Sequence, residues 1–179
     1  MCSRLALVAA AVLTLAPSAA RAQDGRSADL VKQLTQLLAQ KKIDAIAAPD
    51  AQNPGAYFAA LYFPGTQLLV VSAKYEAPAL LTELLARKDY RGVYAELSSA
   101  SIVASKVFVM DAYANGLVVK PTGSQPADSV DRGTVSTVFD GAWKKAKMSE
   151  ADYMKAYSDT EAAYARILQG LIDNLKGST

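Results

Sequence analysis

The order of hydrophobic patterns along this chain predicts an α+β fold: a mainly antiparallel sheet, or a small split barrel, of about six strands with flanking helices. Three observations carry that prediction. Apolar residues recur at helical spacing near both ends, short apolar runs lie between them, and several of those runs are joined by turns tight enough to make hairpins.

The first helix is expected over residues 27–42, where Leu30, Val31, Leu34, Leu37 and Leu38 share one face opposite Lys32, Gln33, Gln36 and Gln40. Ser27 is its expected N-cap. Residues 43–48 form a short apolar segment, and 49–55 (PDAQNPG) are turn chemistry throughout. Residues 56–63 (AYFAALYF) read as a strand, Pro64-Gly65 break it, and 67–73 (QLLVVSA) return as the second arm of a hairpin. The unbroken LLVV implies cover on both faces. Pro78 suits the start of a helix reaching Lys88, with Leu80, Leu81, Leu84 and Leu85 as its buried stripe. Residues 91–97 could extend that helix, but Gly92 favours a break followed by a strand.

Residues 106–113 (KVFVMDAY) read as a strand, Asn115-Gly116 as the strongest two-residue hairpin signal, and 117–119 as the start of its return. Residues 121–133 form a long polar loop, of the kind that is often functional. Residues 134–139 (TVSTVF) are a further strand ended by Asp140-Gly141. Ser149 and Asp152 resemble a capping pair opening a long helix to Lys176, with Gly177 at its end.

Residues 1–22 read as a secretory signal peptide: Arg4, an apolar stretch over residues 5–16, and the small-x-small site Ala20-Arg21-Ala22. The stretch is shorter than the about 20 residues that span a bilayer. The expected mature protein is a single domain over residues 23–179, periplasmic or extracellular. Cys2, the only cysteine, precedes the apolar stretch instead of following it, so lipid anchoring is not expected. Without thiols the mature domain has to be stable through packing alone.

Charge and missing residue types narrow the function further. The chain has 19 Lys+Arg against 17 Asp+Glu; Arg4 and Arg21 leave with the signal and no acid does, so the mature balance is even. That offers no electrostatic footprint for nucleic acid. There is no histidine, which removes the commonest general base and the usual zinc sites. No two glycines stand two or four apart, which excludes G-x-G-x-x-G and G-x-S-x-G; S-x-x-K and Y-x-x-x-K are absent too.

Four positive features stand out. Ser72 and Lys74 point to one face of an extended backbone, spaced to meet an anion such as phosphate, with Arg91 able to join them. The plain alternative is a solvated lysine at a strand end. All nine tyrosines lie in the mature chain. Tyr57, Tyr62, Tyr75, Tyr90 and Tyr94 gather around the middle strands, and Tyr75 and Tyr94 are candidates for ligand contact. Tyr153, Tyr157 and Tyr164 follow the stripe of Leu168, Leu171 and Leu175, which favours a packed helix face with phenol tips at its rim. Asp111 interrupts an apolar strand and is expected on the open face or near a hairpin end. Asp128 and Asp131 are too sparse a pair to define a calcium loop, so no metal site is assigned. Trp143 is expected to pin the segment before the last helix.

The run LLVVSAKY leading into a leucine-rich helix, then KVFVMDAYANGL as a later hairpin, resembles the pyridoxamine-phosphate-oxidase-like split barrel, a family that commonly binds FMN. The resemblance spans residues 43–119 and is one of pattern. It implies a basic residue at the flavin phosphate, which maps onto Lys74 with Ser72 beside it. Here Glu76, Ala77 and Pro78 stand where that family carries further Arg or Lys residues. The leading expectation is an exported, soluble binding or accessory protein without catalysis of its own, for a small molecule or a protein. The alternative is an FMN-binding redox protein, and a homodimer joined by tyrosine-lined faces is a third.

Overall fold

The computed structural model describes residues 26–74 and 105–177. Among the described residues, helix α1 (Arg26–Lys41) comes first, six strands follow, and the long helix α2 (Glu150–Gly177) comes last. The strands are β1 (Ala45–Pro49), β2 (Tyr57–Phe63), β3 (Leu68–Lys74), β4 (Ser105–Asp111), β5 (Asp128–Arg132) and β6 (Val135–Phe139). They pair in chain order as one antiparallel sheet, which is the expected α+β architecture. Among the described residues the sheet is an open meander with β1 and β6 at its edges, not closed into a barrel. Pro49 lacks an N–H and fits at the end of an edge strand.

Alternation along the strands makes two cores. Phe58, Ala60, Leu69, Val71, Val107, Val109, Val130 and Phe139 face the helices and meet Val31, Leu34 and Leu38 of α1 and Leu168, Leu171 and Leu175 of α2. Ala59, Leu61, Val70 and Phe108 form a second cluster on the opposite face, all at most 1% exposed. Both faces are therefore covered, as LLVV implied. Inside α2, Gly170 is a packing requirement. A Cβ there would fall 2.6 Å from Cε2 of Phe58, so only glycine lets that ring lie flush on the helix. Trp143 is half-buried against the helix-side core, as expected.

Tertiary structure overrides the local reading at three places. Asn115-Gly116 does not turn a hairpin: residues 117–119 form no strand, and β4 pairs instead with β5, out of the stretch expected to be loop. The tight hairpin lies further on, where Arg132 pairs with Val135 around Gly133-Thr134 and Gly133 has φ +63°. β5 escaped notice because its helix-side members are Asp128, Val130 and Arg132, two of them charged. Ser27 is not a local cap either. Its N–H donates to Glu161 Oε1 at 2.9 Å, and its Oγ accepts the Leu117 N–H at 3.0 Å, so a distant carboxylate serves the buried helix start. The Ser149–Asp152 pair does cap α2: the Asp152 N–H donates to Ser149 Oγ at 3.1 Å. The helix expected over 78–88 and the segment 91–97 lie outside the described residues.

Candidate functional site

The turn between β1 and β2 is organised by one carboxylate. Asp50 Oδ1 accepts the Gln52 N–H at 3.0 Å, and Oδ2 accepts from Asn53 Nδ2 at 2.7 Å. Backbone bonds from Asp50 to Ala56 (2.8 Å) and from Ala56 to Asn53 (2.9 Å) close the turn. α2 runs past it and presents Arg166, whose Nη1 donates to Asp50 Oδ2 at 2.8 Å. The guanidinium carbon stands 4.8 Å from the centre of the Phe58 ring, a cation–π distance. Burial alone would raise the Asp50 carboxyl; the bonds from Arg166, Asn53 and Gln52 outweigh it and hold it below the ordinary value.

A cavity of about 530 Å³ opens between this turn and α2, lined by Arg26, Asp50, Phe58, Arg166, Gln169, Gly170, Asp173 and Asn174 among others. That volume falls within the about 300–1,000 Å³ usual for small-molecule sites. The α2 members stand at helical spacing, one stripe beside the apolar one. Asp50's side chain is 3% exposed and that of Arg166 is 37% exposed. The carboxylate is thus structural, and the guanidinium, bonded to it and set over an aromatic ring, lines the cavity. Such a fork is prepared for bidentate contact with a planar anion.

A second carboxylate centre lies in the helix-side core. Asp111, expected on the open face or near a hairpin end, closes β4 at a turn and is fully buried: Oδ1 accepts the N–H groups of Tyr113 and Asn115 at 3.3 and 3.2 Å. Its Oδ2 accepts the Gly116 N–H at 2.9 Å and the Tyr164 hydroxyl at 3.0 Å. Asp128, 4% exposed, accepts from Ala112 N and Val118 N, both at 2.8 Å. Burial, with a contribution from the charge of Asp111, pushes Asp128 up to about 6 against those two bonds. Burial also raises Asp111 and, together with Asp111's charge, the Tyr164 phenol. This centre fastens the 111–119 loop to α2. Both carboxylates are buried and spend their oxygens on these bonds, a structural arrangement. Asp131 points to the other face from Asp128, so the two share no ion, and no group of three metal-ligating acids occurs among the described residues.

The tyrosine tips are corrected in the same way. Tyr153, Tyr157 and Tyr164 are buried, and their hydroxyls bond Val138 O (3.1 Å), Leu117 O (2.8 Å) and Asp111, pinning the loops after β4 and β6. Of the residues singled out for an anion or ligand, Ser72 sits on β3 at 1% exposure, paired across strands with Ala59 and Phe108. Its Oγ has no hydrogen-bond partner among the described residues. Lys74 closes β3 opposite Ser105, past a bulge, with its side chain outside the described atoms. Tyr75, Arg91 and Tyr94 lie outside the described residues.

Sequence reasoning missed Asp50, Arg166 and Arg26. The signal for Asp50 was its place in an all-turn stretch; Arg166 shows only as a charge interrupting the apolar run of α2. Compared with known proteins, the chain matches no family model, no curated protein and no solved structure.

Proposed function

We propose that this is an exported binding or accessory protein that holds a small ligand in the groove between α2 and the β1–β2 turn and performs no chemistry of its own. The observation that carries this reading is the Arg166 guanidinium, fixed by Asp50 at 2.8 Å and by the Phe58 ring, with more than a third of its side chain open to a cavity of about 530 Å³. The expected signal peptide supports export. The test is native mass spectrometry of protein purified from its own compartment, with N-terminal sequencing. A retained small molecule, lost in Arg166→Gln, on a chain beginning near Gln23 is the expected result. Catalytic turnover of that molecule by the purified protein sinks the reading.

A second reading, a flavin phosphate at Ser72 and Lys74 with Arg91, is favoured by the unpartnered Ser72 hydroxyl on the strand that ends in Lys74. Bound flavin would supply the redox chemistry itself. A yellow protein, or thermal stabilisation by FMN that disappears in Lys74→Ala, supports it. A colourless protein indifferent to FMN removes it.

A further inference from the structure

We propose that the ligand of the α2 groove is a small organic monocarboxylate with an apolar body; this rests on the groove being a ligand site at all. The chemistry of the donors points there. Arg166 gives one N–H to Asp50 and has no other acceptor among the described residues, so its remaining donors face the cavity as a planar fork. Arg26 lines the same cavity and gives the anion a second cation. Two acids in the lining, Asp50 and Asp173, balance the two arginines. The lining is therefore neutral overall and offers no net positive field to hold a dianionic phosphate, whereas a single carboxylate needs only the open side of the Arg166 fork. Asp50 is already held by Arg166, Asn53 and the Gln52 N–H, while Asp173 accepts a single bond from Gln169 Nε2 at 2.7 Å at the outer rim of the groove. Phe58, Pro49 and Ala162 supply the apolar wall for the rest of the molecule.

The test uses the full mature chain and three probes: phenylacetate, its uncharged amide phenylacetamide, and inorganic phosphate. Amide resonances of Gln169 and Gly170 report on the groove by NMR titration. Phenylacetate is expected to move them, with phenylacetamide and phosphate each at least about tenfold weaker. Arg166→Lys, which keeps the charge and the Asp50 partner but loses the fork, should weaken phenylacetate by about tenfold. Phenylacetamide binding as tightly as phenylacetate overturns the carboxylate assignment while leaving the groove a ligand site. Phosphate binding as tightly overturns it too. If no probe moves those resonances, and native mass spectrometry finds no retained molecule sensitive to Arg166→Gln, the groove itself is not the site.

Discussion

Two aspartates at strand ends do the same local job and come to opposite electrostatic ends. Asp50 after β1 and Asp111 at the end of β4 each accept the N–H two residues ahead and fold the following turn around a carboxylate. What differs is the side chain α2 delivers. Arg166 reaches Asp50, and Tyr164, two residues earlier on the helix, reaches Asp111. The guanidinium keeps the first carboxylate ionised at the edge of an open groove. The phenol closes the second into the core beside Asp128, where burial raises both carboxyls. The same turn motif thus makes a binding edge or a structural lock according to which helix residue meets it.

The lock should be the costlier to break. Asp111→Ala strands the buried Gly116 N–H and the buried Tyr164 phenol, frees two part-buried N–H groups, and should destabilise the fold by about 4 kcal/mol in urea unfolding. A loss below about 1 kcal/mol would show that these bonds are not what holds the 111–119 loop.

The next effect is on pH dependence. The folded value of Asp128, about 6, lies above the unfolded 3.8, so the folded state binds the extra proton between them. Its contribution is fully present below the unfolded value and is lost as pH rises through about 6, an effect of order 3 kcal/mol. Asp50 has the opposite sign: its folded value is depressed, so its contribution is present above 3.8 and is lost as pH falls through the folded value. Unfolding free energy should therefore decline from pH 4.5 to 7.5, and Asp128→Asn should flatten that slope whatever it does to stability overall. A slope unchanged in the variant refutes the assignment.

Arg166→Ala should cost less than the loss of Asp111, about 2 kcal/mol, because the guanidinium is partly solvated while the carboxylate it leaves behind is not. The comparison is sharpened if the loss shrinks when Asp50 is changed to Asn in the same chain, as expected for two coupled sites. Asn53→Ala removes a single bond to Asp50 and should cost about 1 kcal/mol or less by thermal unfolding. An effect as large as that of Arg166→Ala would mean the turn, and not the ion pair, sets the site.

Much of the fold was open to a reader of the sequence because it is written in period. The 3.6-residue stripes of α1 and α2, the β2–β3 hairpin around Pro64-Gly65, and the strand KVFVMD were all identified within one or two residues. β5 was not, since DSVDR alternates correctly but places a carboxylate where a core residue is expected, and its bonds to Ala112 and Val118 come from sequence-distant backbone. The groove was invisible for the same reason. Asp50 and Arg166 are 116 residues apart, and neither looks unusual in its own surroundings.

The chain's own letters determined which stretches coil, which extend, and that residues 26–177, without cysteine or histidine, hold together by packing and hydrogen bonds. Only the packing of α2 across the sheet decided the rest: which acid meets a guanidinium and which a phenol, where Gly170 is obligatory, and which face keeps an opening. Local pattern reports whether a residue prefers burial. The partner that makes a buried charge tolerable is supplied by another element, and its identity exists only once the elements are assembled.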